Sequence, residues 1–554
     1  KRPNPHEWDR PFLYNLFMLT NKITRAQSIT IQPQLPCDFS INFSYQEEVP
    51  ASDPSRIIRD FVESFLDLSR FPSLTSWNST QFPAYQLLET SLLAMTVFGF
   101  SSLRELEDLS RYDMRFRFLL NGVYPSHQTY HRFFNSALKP CMEQIFIELN
   151  HYIELHDSVD TDTLFLDGTK LEANANKMTF VWMKSTRKYQ TSARKKMMEL
   201  LKQFKKWLTA HGYGERSAAI SILQEPDMDH LMTLDQVFID TAEDEKIVYV
   251  AGRGHRKSEL QRMHDQFREL SVKLQKYEAY TETAGGRNSF SKTDTDATFM
   301  HMKYDYYNHT GVFKPGYNVQ AGVSDGYIRI LQVTSSPSDS KDFIPTVERY
   351  RQKYGVYPQR VPADAGYGSY DNYCYCEEHG IELMMKYNLQ EKESHIRKAD
   401  RFKSYAFGKQ EDGTPVCPAG HPMKLEKVTQ SNKGLYPRTN HLYRSEHCQG
   451  CPLCRECTRS RKGRTMNICH DLERQKGIVR ENMATERGQE LMIQRSIQSE
   501  GTFGQLKEDY SYTRLRRRGK DGVEFELWMV AAGHNIRHYC NRKSQMKERS
   551  SHLN

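Results

Sequence analysis

The sequence predicts a mixed α/β fold on three observations. A short apolar run ends on Asp167, and a second strand-like segment ends on Asp364. Two further segments of strand composition flank Asp325-Gly326, a dipeptide that favours a hairpin turn. Segments with helical spacing of apolar residues precede these strands and alternate with them. These patterns predict one mixed sheet covered by helices.

Composition narrows the class of protein. The chain has 554 residues, too many for one hydrophobic core, so we expect about two to four domains. Its net charge of +8 favours an acidic partner, with nucleic acid first, although a mildly basic enzyme is the alternative. There is no apolar run of about 18 residues and no apolar segment of signal-peptide type at the start. We therefore expect no membrane contact, a reducing cytoplasm and no disulfides among the 11 cysteines.

The first half of the chain is predicted to begin with helices. Residues 1–55 are polar and proline-containing, which predicts an arm without its own core. Residues 56–150 have helical periodicity, and Ser126 fits the N-cap of the second helix of a helix-turn-helix. A helical bundle with a polar face is the alternative interpretation. The candidate contacts to bases or phosphates in this region are His127, Thr129 and Arg132.

The predicted sheet is interrupted by a helical insertion. Residues 151–183 hold the strand that ends on Asp167, and residues 184–289 have the three-and-four apolar spacing of a coiled coil. We therefore predict a helical hairpin whose first arm is basic. The simpler interpretation is a solvated face, and the functional one is a track for a phosphate backbone. The basic residues of the first arm are Lys184, Arg187, Lys188, Arg194, Lys195, Lys196, Lys202, Lys205 and Lys206.

The sheet is predicted to resume over residues 290–394. A hairpin over 316–324 and 327–333, a helix over 342–354, a strand ending on Asp364, a second helix and a last short strand follow one another there. With the first strand in front, this is the strand order of a ribonuclease-H-like core. Residues 395–483 form a basic, Cys-rich second insertion. Residues 484–545 return to the core as helices, the last of them over about 523–539.

Three carboxylates are predicted to form a cation site. A charged Asp at the end of a buried strand is costly unless it is paired or binds a cation, and an Asp that caps a turn is the alternative. Glu500 is chosen as the third because Glu500, Phe503 and Lys507 fall on one helical face. The alternatives are Glu481, Glu486, Glu490 and Glu508. Carboxylates favour Mg²⁺ or Mn²⁺. Two such ions about 4 Å apart activate water or a 3′-hydroxyl and stabilise the leaving 3′-oxygen of a phosphodiester.

Four motifs together carry a family resemblance. They are Leu166-Asp167-Gly168-Thr169-Lys170-Leu171-Glu172-Ala173-Asn174-Ala175-Asn176, Gly316-Tyr317-Asn318-Val319-Gln320, Ala363-Asp364-Ala365-Gly366-Tyr367-Gly368 and Glu500-Gly501-Thr502-Phe503-Gly504-Gln505-Leu506-Lys507. They resemble the DDE transposases of bacterial insertion sequences. The resemblance implies a ribonuclease-H-like fold, Mg²⁺ dependence and terminal inverted repeats as substrate. It also implies that Asp167, Asp364 and Glu500 bind the metal. Lys507 matches the family's Lys position, whereas Arg495 lies one residue further from Glu500 than the family's Arg.

Cysteines and further basic residues predict two more features. Repeated Cys-x2-Cys steps in a reducing compartment indicate one structural zinc, and inert thiols are the alternative. The zinc candidates are Cys417, Cys448, Cys451, Cys454 and Cys457, with His421 and Cys469 as further potential ligands. The candidate phosphate contacts outside the helical region are Lys170, Arg495, Lys507, Arg514, Arg516, Arg517 and Arg518.

Three functions fit these patterns. The first is a DNA transposase that cuts and joins strands at the ends of a mobile element. The second is a metal-dependent nuclease of the same fold without strand transfer, and the third is a catalytically dead, zinc-containing DNA-binding regulator. For the first we expect duplex DNA as partner, both terminal inverted repeats and target, a homodimer on that DNA, and a place on the bacterial nucleoid.

Overall fold

The structure, a computed structural model, describes residues 28–31, 39–42, 48–99, 102–252, 254–302, 312–509 and 512–552. Helices and strands are both present, which agrees with the predicted α/β class. The predicted N-terminal arm contains one antiparallel strand pair, Ser28–Ile31 with Phe39–Asn42, and its other residues before Glu48 lie outside the described residues. Across the described residues, no helix has the length and apolar character needed to cross a membrane.

The main sheet is built around one central strand, Phe165–Glu172. It pairs antiparallel with Phe313–Ser324, which pairs in turn with Tyr327–Thr334 and with Thr298–His301. On its other side the central strand meets the extended segment at Arg360 and Ala363 in parallel, and that segment meets Glu382 and Met385 in parallel. The four antiparallel strands are therefore followed by two parallel connections.

The parallel side of the sheet consists of isolated bridges, where the sequence predicts two strands. Pro362 lies between the two bridged residues, Arg360 and Ala363, and has no N–H to donate. Its carbonyl still accepts a hydrogen bond from the Leu166 N–H, at 3.1 Å. The ladder is therefore interrupted while the segment keeps its place beside the central strand.

Helices cover both faces of the sheet. Asn318 and Gln320 point to the face that carries the helices Phe343–Tyr354 and Tyr370–Glu378. Val319, on the alternate face, contacts the helices of residues 486–509 and the terminal helix, Lys520–His552. Because both faces are covered, the strands are buried along nearly their whole length.

The N-terminal helical region packs on the terminal helix and shares its hydrophobic core with the sheet. A capping box of Ser102 and Glu105 is present at the start of one of these helices. Gly533 of the terminal helix lies directly against Met95. The helices are Pro54–Arg59 continuing as Asp60–Phe65, Leu68–Arg70, Pro72–Thr75, Ala84–Phe98, Leu103–Tyr112, Met114–Leu119, His127–Arg132 continuing as Phe133–Leu138, and Met142–His156.

Residues 183–284 form a helical module with a hydrophobic cluster of its own. The module starts and ends at a short strand pair, Phe180–Trp182 with Ser289–Ser291. Its helices are Met183–Ala210, Gly214–Ala219, Met228–Asp244 and Glu259–Ala284, of which the first and last pack along each other. Two helices beyond the predicted hairpin are therefore present.

The Cys-rich part has a third, small hydrophobic cluster around Phe407, Tyr443 and Ile468. Its strands are Gly408–Lys409, Pro415–Val416, Lys424–Ser431, Arg438–Arg444 and Thr465–Ile468, with a short helix at Cys454–Cys457. Before it lie the short helical turns Gln390–Ser394, Lys398–Asp400 and Ser404–Ala406. After it, the helix His470–Ala484 leads back to the sheet.

Candidate active site and nucleic-acid contacts

Asp167 and Asp364 lie next to each other at the centre of the sheet. Leu166 and Ala363 are bridged partners on neighbouring parallel segments, so the residue that follows each of them lies at the same level. Asp167 is 8% exposed, and its Oδ1 accepts the Gly168 N–H at 2.8 Å. The Oδ1 of Asp364 accepts the Gly366 N–H, also at 2.8 Å. The folding of two distant segments thus brings together the first two predicted carboxylates.

Several carboxylates lie near Tyr367, close to Asp167 and Asp364. Its hydroxyl is buried and donates a hydrogen bond to Gln320 Oε1. Burial raises the pKa of this hydroxyl well above its usual value, and nearby carboxylates raise it further. In order of effect, these carboxylates are Asp339, Asp167, Asp364 and Asp342.

Asp339 is a member of this group that sequence analysis missed. Its Oδ1 accepts hydrogen bonds from Asn318 Nδ2 at 2.7 Å and from Gln320 Nε2 at 3.0 Å. A Cβ at Gly168 would lie 2.9 Å from the same Oδ1. The only sequence signal was an acidic residue in a Ser-rich turn before a helix, which is ordinary turn composition.

Glu500 is carried by a helix that lies over the central strand. This helix consists of Glu486–Arg495, Ser496–Glu500, Gly501–Gly504 and Gln505–Asp509, and its hydrogen bonding widens to i→i+5 in the second and fourth parts. We call residues 486–509 the Glu500 helix. Phe503 and Leu506 are buried against the sheet, whereas the Glu500 side chain is 66% exposed, with Arg495 Nη2 at 3.9 Å. Such widened turns occur frequently at functional sites.

The carboxylate oxygens of Asp364 and Asp339 are ligands that suit a hard divalent cation. A Cβ built at Gly366 would lie 2.9 Å from Asp364 Oδ1 and 3.8 Å from Asp339 Oδ2, so two carboxylate oxygens border a space that the glycine leaves open. Carboxylate oxygens are the ligands that Mg²⁺ and Mn²⁺ prefer. In the described part of the chain, no three His, Cys, Asp or Glu side chains form a ready-made metal-binding group.

Two basic residues of the Glu500 helix lie beside the candidate site. Lys507 Nζ donates to Thr169 Oγ1, which is two residues beyond Asp167 on the same face of the central strand. The side chain of Arg495 is 14% exposed, and its Nη2 lies 3.4 Å from Ser496 Oγ. Lys170, the third predicted contact near the triad, is half-buried on the central strand.

The basic segment 514–518 divides into exposed and inward side chains. Arg514, Arg516 and Arg518 are exposed, and Arg518 Nε donates to Asn174 O at 2.8 Å. Arg517 instead stacks on Phe525, 4.5 Å from the ring centroid, and burial lowers the pKa of its guanidinium. The three exposed residues are therefore the better placed for phosphate contacts.

The predicted helix-turn-helix residues differ in their surroundings. His127 Nδ1 lies 2.6 Å from Glu107 Oε2, and hydrogen bonds from the His127 backbone and ring lower the pKa of Glu107. Thr129 is buried, with its backbone N–H bonded to Ser126 Oγ at 3.3 Å. Arg132 is exposed. Of the three candidates, Arg132 is the one that faces solvent fully.

Four of the predicted zinc ligands are neighbours. Burial raises the pKa of the Cys457 thiol, Arg464 lowers it, and nearby thiols raise it again. Those thiols belong to Cys448, Cys417 and Cys451. The Arg464 N–H also donates to Cys448 Sγ at 3.4 Å, and all described cysteines are free.

Comparison with known protein families gives a match over the last part of the chain. Residues 416–540 match the family model described as "Transposase DDE domain". This match confirms the resemblance to DDE transposases, a family that acts on DNA and generally uses divalent metal ions. The matched segment contains Glu500 and the Cys-rich cluster, while Asp167 and Asp364 lie before it. Searches of curated proteins and of solved structures gave no match.

Proposed function

We propose that the chain is a DNA transposase that cuts and joins strands at the ends of a mobile element by two-metal-ion phosphoryl transfer. The proposed metal-binding carboxylates are Asp167, Asp364 and Glu500. The observation that carries the proposal is the adjacency of Asp167 and Asp364 beneath the helix that bears Glu500, in a chain that matches a transposase domain.

A ribonuclease-H-like core is part of this proposal. Support comes from the sheet order, in which the last strand of an antiparallel hairpin lies at one edge and the central strand has a parallel neighbour on its other side. That neighbour carries Asp364, and the parallel segment at Glu382 and Met385 lies beyond it in the sheet. The helical module 183–284 and the Cys-rich part are then insertions in this core.

The chain's own residues would bind and orient the DNA strand at the site. When bound, Mg²⁺ or Mn²⁺ would polarise the phosphodiester and stabilise the charge that develops on the leaving oxygen. Lys507, fixed beside the central strand by Thr169, is in position to hold a phosphate next to the carboxylates. Arg495 is the second candidate for that role, at the end of the helix that precedes Glu500.

The proposed partner is duplex DNA, which includes both the terminal inverted repeats of a bacterial mobile element and the target DNA. The chain would bind this DNA as a homodimer. Supporting surfaces are the exposed arginines of the segment 514–518 and the basic helix Met183–Ala210. On that helix Lys188, Lys195 and Lys202 are exposed and seven residues apart, so they share one face. Phosphate contacts by such rows are independent of base sequence.

The proposal is tested by a strand-joining assay. A pre-cut duplex end of the mobile element and a second, target duplex are incubated with Mg²⁺ and the full chain. We expect the 3′ end to be joined by the wild type, and joining to be lost in Asp167→Asn because that change removes charge while keeping shape. Asp325→Asn, the same change in a hairpin turn of the same sheet, serves as the control and is expected to join normally.

Each other outcome favours another function. Cleavage of the end without any joining would favour a metal-dependent nuclease of the same fold. Binding of DNA without cleavage or joining would favour a catalytically dead regulator. Equal joining by Asp167→Asn and by the wild type would remove Asp167 from the site.

We also propose one structural zinc in the Cys-rich part. Support comes from the surroundings of Cys457, whose thiol has those of Cys417, Cys448 and Cys451 as neighbours. Four thiolates suffice for a tetrahedral zinc, so one of the five candidate cysteines would be spare. The metal would fix the strands of this small part, which has only a minor apolar cluster.

Metal analysis of the purified chain tests the zinc. We expect one zinc per chain in the wild type and a loss of zinc in Cys457→Ser. Cys374→Ser, which changes a half-buried thiol outside the Cys-rich part, is the matched control and should retain the metal. A wild-type chain that contains no zinc would contradict the proposal.

A further inference from the structure

We infer that Asp339 is a fourth carboxylate of the proposed cation site, binding the same divalent cations as Asp167 and Asp364. This inference rests on the proposed function, which supplies the site. It concerns a residue outside the predicted triad, in the turn Asp339–Lys341 between the hairpin and the helix Phe343–Tyr354.

The position of Asp339 is fixed by two buried amides. Asn318 and Gln320 are fully buried on the strand beside the central strand, and amides in such a place need hydrogen-bond partners. Both side chains donate to Asp339 Oδ1, at 2.7 and 3.0 Å. Two side chains of the motif Gly316 to Gln320 thus fix this carboxylate by hydrogen bonds.

The same network connects Asp339 to the two predicted aspartates. Tyr367, three residues after Asp364, donates to Gln320 Oε1 and so fixes the amide whose nitrogen reaches Asp339. Gly168, which follows Asp167, has no side chain where a Cβ would lie 2.9 Å from Asp339 Oδ1 and 2.7 Å from Gln320 Nε2. Residues from three distant motifs therefore meet at Asp339.

The second oxygen of Asp339 lies near Gly366, as does the Oδ1 of Asp364. A Cβ at Gly366 would lie 3.8 Å from Asp339 Oδ2 and 2.9 Å from Asp364 Oδ1. Within the described residues, no hydrogen-bond donor to this Oδ2 is found, whereas Oδ1 has two. A carboxylate with one oxygen fixed by amides and the other without a donor, close to a second carboxylate, is arranged as cation ligands and their supporting hydrogen bonds commonly are.

Asp342 lies close by but has a different role. Its Oδ2 accepts from Thr334 Oγ1 at 3.1 Å and from Asn318 Nδ2 at 3.3 Å, and the residue is 5% exposed. Burial raises its pKa to about 7, while the Thr334 hydrogen bond lowers it and Asp339 raises it. Asp342 is thus a buried acceptor for Asn318, whereas Asp339 is only partly buried and lies near Gly366.

Binding of Mn²⁺ to the full chain, measured by calorimetry without DNA, tests the inference. We expect affinity to fall by about tenfold or more in Asp339→Asn, since that change removes charge and keeps an oxygen for Asn318 and Gln320. Asp364→Asn should show a comparable loss. Asp371→Asn, an acid in the first turn of a helix near the site, is the matched control and should bind as the wild type does.

The outcomes separate this inference from the proposed function. Normal Mn²⁺ affinity in Asp339→Asn together with a loss in Asp364→Asn would overturn the role of Asp339 and leave the proposed site standing. Normal affinity in both variants would remove the site itself. A second measurement needs no variant: Fe²⁺ with ascorbate and peroxide should cut the wild-type backbone near residues 167, 339 and 364. Cuts near 167 and 364 without any near 339 would contradict the inference.

Discussion

Glu89 illustrates how a single residue can control the stability of the helical region. It is completely buried in the helix Ala84–Phe98, and in the described part of the chain neither carboxylate oxygen has a hydrogen-bond partner. Burial raises its pKa to about 8, while Arg59 lowers it and Glu63 raises it. The folded protein therefore holds a proton on Glu89 that the unfolded chain releases at lower pH.

We predict that Glu89 costs stability as pH rises. Because the folded pKa is raised above the unfolded value of about 4.5, the folded state binds more protons in this range, and the free energy of unfolding falls between about pH 4.5 and pH 8. Glu89→Gln removes this loss, so its advantage over the wild type in urea unfolding should grow by a few kcal/mol from pH 5 to pH 8.

The control for this prediction is Glu278→Gln, an exposed position on the helix Glu259–Ala284. The difference between this variant and the wild type should stay constant over the same pH range. A constant difference for Glu89→Gln as well would contradict the assignment.

Individual residues of the candidate site differ in how far the sequence could predict them. Asp167 and Asp364 were predicted as site residues because each follows an apolar run, a pattern that is local in sequence. Asp339 was not predicted, because nothing local in sequence shows that Asn318 and Gln320 reach it across the sheet. The inward stacking of Arg517 was equally hidden, since its neighbours in sequence are arginines that face solvent.

Among the elements, those with a strong local signal were predicted closely. The hairpin was expected at 316–324 and 327–333, and it lies at Phe313–Ser324 and Tyr327–Thr334. The helix expected over 342–354 begins at Phe343 and ends at Tyr354. The terminal helix is longer than predicted, because its polar end after residue 539 has no apolar pattern to signal a helix.

Close packing of the terminal helix predicts a steric effect at Gly533. A Cβ there would lie 2.5 to 2.7 Å from the backbone and Cβ of Met95, distances that require the two helices to move apart. Gly533→Ala should therefore lower the free energy of unfolding by about 1–3 kcal/mol. Urea denaturation measures the change.

Gly477→Ala is the matched helical control for Gly533→Ala. A Cβ at Gly477 would meet nothing within 4 Å, so alanine should stabilise that helix by up to about 1 kcal/mol. A neutral or stabilising effect of Gly533→Ala would show that the two helices are less closely packed than described.

The basic helix Met183–Ala210 gives a prediction about DNA binding. Replacing Lys188, Lys195 and Lys202 with Gln removes three exposed charges from one face. If this face follows a phosphate backbone, affinity for all sequences should fall, and the slope of log K against log salt should decrease by about 3. Replacement of the same residues with Arg keeps the charge and should keep the slope. An unchanged slope in the Gln variant would show that the face is merely solvated.

At the scale of the whole molecule, the described residues form four separate hydrophobic clusters, which imply parts that respond independently. One of the four lies at the short strand pair Phe180–Trp182 with Ser289–Ser291. The sheet and N-terminal helices share one cluster, while the helical module and the Cys-rich part each have another. Their order along the chain was predictable from composition and periodicity. The packing of the N-terminal helices on the terminal helix was not, because the contacting residues are hundreds of positions apart.

We predict that zinc chelation loosens only the Cys-rich part. Its cluster is small and distinct, so removal of the proposed metal should increase hydrogen exchange in the strands Lys424–Ser431 and Arg438–Arg444. Exchange in Phe313–Ser324, in the core of the main sheet, should stay unchanged. Increased exchange in both regions would mean that the Cys-rich part supports the sheet directly.

Cleavage of a labelled duplex carrying the element's end, with Mg²⁺, by the wild type and by Asp364→Asn tests the central claim most directly. We expect the variant to bind the duplex normally but to cut it at least about a hundredfold more slowly than the wild type. Loss of cutting with binding retained would assign Asp364 to the metal site beside Asp167. Cutting by Asp364→Asn at the wild-type rate would contradict the account, since the two aspartates would then meet in the sheet without a role in the chemistry.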